Sequence, residues 1–268
     1  MKKLLVAIIL LAFLLSSCVI EQQSEVTIQV ETTPHETIIE PLVIPEDASG
    51  EEAIKAYAEY HDIDFESYPE RLWSVYEENP EAREFVLNYS LEINKNHEVD
   101  MSEFENMDGI PLFIQWDKRW GYTPYGSSVG GLTGCGPTCL AMVAYYYTKD
   151  PNMSPDKIME FSLENDYYVY GHGTAWALMS EGSKKLGFDV KEVPLQESKI
   201  AEYLKAGNPI ICSVGPGDFT SFGHFIVLVD YENGMICVND PNSYIRSERL
   251  WSYDEIKDQI NNMWVIFN

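Results

Sequence analysis

The sequence predicts an α+β protein in which helices come first and an antiparallel sheet closes the chain. Two observations lead there. Residues 50–96 place apolar side chains at helical spacing, and a helical run continues through residues 137–148. Apolar, strand-like runs then crowd the last third, at 209–214, 224–231 and 234–241, with short Gly-containing segments between them. No internal repeat interrupts this order.

The chain opens on Met1-Lys2-Lys3, twelve apolar residues from Leu4 to Leu15, and Ser16-Ser17-Cys18. A basic start, a short apolar core and small residues describe an export signal, because a membrane span needs roughly 20 apolar residues. Leu15-Ser16-Ser17-Cys18 resembles the lipobox of bacterial lipoproteins, in which the cysteine is acylated and becomes the first residue. Residues 1–17 are therefore expected to be cleaved and Cys18 to carry lipid. The mature chain would then sit on the outer face of the bacterial cytoplasmic membrane, held by its anchor alone. Residues 18–49 mix Glu, Thr, Gln and Pro without a sustained period and read as a tether.

From Gly50 the pattern turns helical. Ala53, Ile54, Tyr57 and Ala58 mark a first helix, Leu72, Trp73 and Tyr76 a second, and Phe85, Val86, Tyr89 and Ile93 a third. Pro69 and Pro80 are expected just inside the second and third, where proline is tolerated. So short a set of helices cannot enclose a large core alone, so residues 50–108 are expected to pack on the next domain as an acidic helical extension.

The main domain is assigned to residues 109–268. Helices are expected over 137–148, from Pro155 to about Asn165, over 174–187 and over 195–207, the last two ending on Gly187 and Gly207 as helices often do. Residues 188–193 read as a strand, followed by the three apolar runs, a helix from Tyr253 to Asn261 and a final strand at 263–268.

The net charge is −25, and residues 46–108 carry 19 acids against 4 bases. That balance argues against a nucleic-acid partner and against direct adhesion to anionic lipid. With Cys18 assigned to lipid, Cys135, Cys139, Cys212 and Cys237 remain. Cys135 and Cys139 stand four apart at a helix start, a poor disulfide geometry, and Cys212 and Cys237 lie in apolar runs expected to bury free thiols. No His-Glu-x-x-His metal motif and no phosphate loop ending in Gly-Lys-Ser/Thr is present, so no cofactor is expected.

The chemistry centres on Thr133-Gly134-Cys135-Gly136-Pro137-Thr138-Cys139, where a flexible loop becomes a helix. Unpaired backbone N–H groups and the positive end of the helix dipole favour negative charge there, which suits a nucleophilic thiol at Cys135. Such a nucleophile needs a base, a group to hold the base, and oxyanion donors. Of five histidines, His35 lies in the tether, His61 and His97 in the acidic helices, and His172 in a Gly-flanked loop. His224 heads a strand, where a rigid element would fix its ring. The following strand ends at Val238-Asn239-Asp240-Pro241 and should pair with it as a hairpin. An odd number of turn residues puts Asp240 on the face of His224, and an even number puts Asn239 there. Asp240 is favoured, since a carboxylate also stabilises an imidazolium.

Gln115-Trp116-Asp117-Lys118-Arg119-Trp120, Gly134-Cys135-Gly136-Pro137-Thr138, Gly223-His224-Phe225 and Asn239-Asp240-Pro241 together resemble family thirty-nine of the cysteine peptidases. The closer likeness is to its stand-alone, exported C39-like branch, related to the peptidases that trim bacteriocin leaders. The resemblance covers residues 110–268. It implies a papain-like fold with Cys135 as nucleophile, His224 as base, Asp240 as orienting acid and Gln115 in the oxyanion hole. Papain-like enzymes place this glutamine only a few residues before the cysteine, whereas Gln115 precedes Cys135 by twenty, across a Gly-rich loop long enough to fold back. The expected activity is hydrolysis of peptide bonds in a peptide or protein substrate, with cell-wall peptide as the alternative substrate. A catalytically inactive surface binding module is the non-enzymatic alternative. Residues 50–108 could also serve as an inhibitory pro-segment over the cleft.

Overall fold

The computed structural model describes residues 41–268; the export signal, Cys18 and most of the tether lie outside the described residues. Among the described residues no helix is long and apolar enough to cross a membrane.

The first helix, α1 (Gly50–Tyr60), opens on a capping box in which Ser49 and Glu52 each satisfy the other's backbone N–H. Helices α2 (Arg71–Glu78) and α3 (Arg83–Glu92) follow. Both prolines lie outside the α-helices they introduce. Pro69 precedes α2 by two residues, and Pro80 opens a 3-10 turn, Pro80–Ala82, that leads into α3. A residue with fixed φ and no N–H fits such an approach better than the hydrogen-bonded helix itself. Ala53, Ile54, Leu72, Tyr76, Phe85 and Val86 share one core with Tyr122 and Val129. The Phe85 and Tyr122 rings stack with centroids 4.8 Å apart, and Tyr122 Oη donates to the Phe85 carbonyl.

Helix α4 (Cys135–Thr148) is buried on every side from Gly136 to Tyr145, as a central helix must be. It ends on Lys149 in the left-handed conformation, and α5 (Pro155–Glu164) packs beside it. The helix expected over 174–187 is confined to a wide π-type turn, Leu178–Gly182, and one α-turn, Ser183–Lys185. Its first residues are taken by another pattern: Thr174 pairs with Tyr168 in a small ladder, and Ala175 N–H donates to the Tyr167 carbonyl.

The main sheet comprises β1 (Asp189–Glu192), β2 (Ile210–Val214), β3 (His224–Glu232), β4 (Met235–Asn239), β5 (Leu250–Ser252) and β6 (Ile260–Phe267). Every neighbour is antiparallel, in the order β1-β6-β2-β3-β4-β5. This is the α+β architecture the sequence predicts. Helix α6 (Glu197–Lys205) crosses from β1 to β2. The sheet lies between two apolar layers. Ile211, Phe225, Val227 and Trp264 meet α4 on one side, while Ile210, Cys212, Ile226 and Val265 meet Ile200 and Leu204 of α6 on the other. Strand β2 is buried along its whole length, which explains an apolar run without alternation.

Three further details depart from expectation. The helix foreseen from Tyr253 to Asn261 stops at Ile256 and passes through a 3-10 turn, because Ile260 already pairs with Val214 in the sheet. A short helix, Tyr244–Glu248, and the strand β5 were not foreseen; the first is only five residues long and the second only three.

Leu140, in the middle of α4, is fully buried, whereas Leu250 is 49% exposed. Urea unfolding should therefore show a loss of about 2–5 kcal/mol for Leu140→Ala and on the order of 0.5 kcal/mol for Leu250→Ala.

Candidate active site

Cys135 is the first residue of α4, and the first backbone hydrogen bond within the helix runs from Thr138 N–H to Gly134 O. The N–H groups of Cys135 and Gly136 therefore precede the hydrogen-bonded ladder and face an approaching ligand electrostatically. The flanking glycines answer to packing. A Cβ at Gly136 would lie 2.7 Å from Cβ of Thr174, and one at Gly134 would lie 2.6 Å from the Gly130 carbonyl oxygen. The loop ending at Thr174 can thus rest directly on the start of the helix, leaving the Cys135 side chain half-buried.

His224 opens β3, paired with Val214 of β2. Its Nε2 lies 2.7 Å from Asp240 Oδ1, which leaves the other ring nitrogen for the Cys135 thiol, a group near enough to help hold the imidazolium proton. How Asp240 comes to be the partner is a matter of register. Strands β3 and β4 are joined by Asn233-Gly234, both in the left-handed region at φ 53° and 84°. Next to this turn Glu232 faces Met235, Tyr231 faces Ile236 and Asp230 faces Cys237. Carried on unbroken, that register would set Asn239 opposite Leu228, on the face of His224. Instead Val229 forms a bulge, and beyond it Leu228 faces Val238 and Val227 faces Asn239. The extra residue turns Asn239 away, so that its Nδ2 donates to the Ile110 and Pro111 carbonyls, and brings Asp240 to the histidine.

Asp240 is fully buried. Oδ1 also accepts from Asn242 N–H at 2.8 Å, and Oδ2 accepts from Arg246 Nε at 2.5 Å. Burial opposes the carboxylate charge, but His224 and then Arg246 more than offset it and hold the group below its ordinary value of 3.8. Burial likewise opposes the imidazolium of His224. The charge and hydrogen bond of Asp240, joined by Cys135, outweigh it and raise the ring from 6.5 to about 10. The pair is therefore a carboxylate and an imidazolium across the neutral range.

Gln115 is buried beside both halves of the site. Its backbone N–H donates to Pro241 O at 2.7 Å, and its side-chain Nε2 donates to Gly131 O at 2.8 Å. The Gly-rich loop does fold back, through a small ladder (124–129) and a helical turn, Gly130–Thr133, so that twenty residues of sequence separation collapse to a hydrogen bond four residues before Cys135. One N–H of Nε2 remains free for another acceptor. A cavity of about 440 Å³ opens at Gln115, bounded by Leu132, Phe222 and Arg246 and, from α2, by Val75.

The structure thus gathers Cys135, His224 and Asp240, with Gln115 bridging the two loops that carry them. His172 stands exposed at the tip of the Tyr168–Thr174 turn. Cys139 and Cys212 are fully buried, and burial pushes both thiols up; Cys237, expected to be buried, is only half-buried in the middle of β4. Among the described residues all four cysteines are free.

The model of the Peptidase_C39 like family matches residues 107–268, which is more than half of the chain. The chain belongs to the C39-like peptidase family. The matched region contains all four residues gathered here. Among solved structures, the peptidase domain of ComA from Streptococcus, a bifunctional ABC transporter of a quorum-sensing pathway, is 22% identical, with 50% of this chain and 91% of that one covered and a TM-score of 0.39. A protein from Bacillus anthracis described as a C39-like peptidase is 15% identical, with 61% of this chain and 96% of that one covered and a TM-score of 0.40. Among curated proteins none matches.

Sequence reasoning missed Arg246, the second partner of the C39-like acid. It sits in the short helix after β4, and its basic side chain six residues beyond Asp240 was the only signal available.

The His224 shift carries a sign that can be measured. The folded chain holds the imidazolium proton more tightly than the unfolded one, so its stabilisation is complete below pH 6.5 and is lost as pH rises toward about 10. In a Cys135→Ala background, the stability advantage over the same chain with His224→Gln should be largest below pH 6.5 and shrink steadily above it, as read by denaturant unfolding across pH.

Proposed function

We propose that this C39-like chain is an exported, lipid-anchored cysteine peptidase that hydrolyses peptide bonds through a Cys135 acyl-enzyme. The observation that carries the reading is the buried Asp240–His224 pair set against the Cys135 thiol at a helix start. In this reading the thiol proton resides on His224, and the Sγ anion attacks the substrate carbonyl carbon to form the C–S bond. The oxyanion is received by the Cys135 N–H and by the free N–H of Gln115 Nε2. The C–N bond breaks as the imidazolium protonates the departing amine. Water then attacks the thioester, His224 takes its proton, and the C–S bond breaks to release the acid and restore the thiol. Asp240 keeps the ring oriented throughout and stabilises it whenever it carries the proton.

The lipid anchor at Cys18 belongs to this proposal on the strength of the Leu15-Ser16-Ser17-Cys18 pattern. It would hold the peptidase at the outer face of the cytoplasmic membrane, with peptide, protein or cell-wall peptide as substrate. Labelling cells with a fatty-acid analogue and comparing wild type with Cys18→Ala tests it; lipid incorporation should vanish in the variant.

Mass spectrometry of a diverse peptide pool and of cell-wall fragments should reveal cleavage by the wild type and none by Cys135→Ala. His224→Ala should lower the rate by about 10²–10⁴-fold with folding retained. Full activity in purified Cys135→Ala would overturn the mechanism. For kcat/KM against pH, the alkaline limb should lie near the His224 value of about 10 and move toward neutral pH in Asp240→Asn, because the charge that raises the ring is gone.

A further inference from the structure

The stretch that carries the acid is held from outside the peptidase domain. Asp240 lies just beyond the end of β4, so no continuing strand ladder fixes it. It begins a tight polar loop: Ser243 N–H donates to Asp240 O, Asp240 N–H donates to Ser247 Oγ, and Ser247 Oγ donates in turn to Ser243 O. Ser243 also caps the short helix Tyr244–Glu248 by accepting from Arg246 N–H at 3.0 Å. Glu81, in the 3-10 turn between α2 and α3, closes on this loop with both oxygens. Oε1 accepts from Ser243 Oγ at 2.5 Å, and Oε2 accepts from the N–H groups of Tyr244 and Ile245. Asn79, two residues earlier, donates from Nδ2 to the Asn242 carbonyl and to Asn242 Oδ1. Glu81, Ser243 and the Arg246 backbone therefore form one unbroken chain of hydrogen bonds, and the Arg246 side chain returns to Asp240 Oδ2.

We propose that Glu81, assisted by Asn79, is a positioning residue for the peptidase reaction, holding the 240–247 loop so that Arg246 and His224 share the Asp240 carboxylate. This rests on the reading of Asp240 and His224 as the partners of Cys135. Three charge-assisted hydrogen bonds to one carboxylate at the start of a five-residue helix replace the stability such a short element lacks. The helical segment is then part of the active site rather than a cover for it. An inhibitory pro-segment predicts the opposite sign: weakening its grip would raise activity, whereas here it lowers activity.

The test uses the full chain with Glu81→Gln, Glu81→Ala, Asn79→Ala and, as a surface control, Glu51→Gln. The His224 titration is followed by NMR of labelled histidine in a Cys135→Ala background, and kcat and KM are followed with Cys135 intact. In Glu81→Ala the His224 titration should move toward neutral pH by about one unit, and kcat should fall about tenfold with KM changed less than about twofold. Glu81→Gln keeps the side-chain volume and one acceptor, so it should fold and show a smaller change in the same direction. It decides the matter if Glu81→Ala does not fold. Unchanged His224 titration and kcat in a folded Glu81 variant would overturn the proposal. So would a loss of thermal stability with the titration unmoved, which marks a merely structural contact. The titration needs no turnover, so a wild type that hydrolyses nothing would remove the peptidase reading while the shift still reports on the brace.

Discussion

The site turns on a single carboxylate that has no contact with water. A buried charge is tolerable only when its oxygens are fully engaged and an opposite charge lies close by. Asp240 meets both conditions, with His224 and Asn242 N–H on Oδ1 and Arg246 on Oδ2. Two cations compete for one anion. Arg246 keeps the carboxylate ionised even where His224 loses its proton, and His224 stays protonated because the carboxylate is ionised. Removing Asp240 would leave two cations without their anion, whereas removing either cation leaves the carboxylate with one partner, so Asp240 is the costliest of the three to lose.

The fold supplies this arrangement by bringing three ends together: the N-terminus of the central helix α4, the start of β3 and the exit from β4. Each end belongs to an element buried along most of its length, so the site inherits the rigidity of the core while its reacting atoms stay at the edge. Gln115 ties the ends laterally, with its backbone on Pro241 and its side chain on Gly131. A glutamine held at both points cannot drift from the thiol without disturbing the acid loop as well.

Much of this was legible in the sequence. Period and length identified α1, α4, α5 and α6 and strands β2, β3, β4 and β6, because each buries a regular apolar face that leaves its spacing in the chain. Cys135 was visible through its glycines, whose absent side chains answer to contacts with Thr174 and Gly130. What could not be read was set by pairing. Thr174 and Ala175 follow a helical pattern but give their backbone to a neighbouring ladder. Ile260 reads as the end of a helix but is captured by Val214. The choice between Asn239 and Asp240 depended on the bulge at Val229, which a count of turn residues does not contain; the two-residue turn by itself would have indicated Asn239. Arg246 and Glu81 were hidden because they act on Asp240 from a five-residue helix and from a separate helical segment, with no local periodicity to announce either.

The bulge at Val229 also has a meaning over evolutionary time. An amide and an acid stand side by side at the end of β4, and which of them meets the histidine is fixed by one residue of slack in the opposite strand. Closing the bulge with every residue kept, so that Leu228 faces Asn239, would exchange the two roles, whereas deleting Val229 would leave Leu228 opposite Val238 and Asp240 at the histidine. Such a slip changes the charge of the site by one unit, and it also turns the buried side chains of the slipped stretch to the opposite face of the sheet. Over generations the bulge therefore locks the choice of orienting group to the apolar pattern of the sheet, so that the amide cannot replace the acid by slippage without disturbing the core.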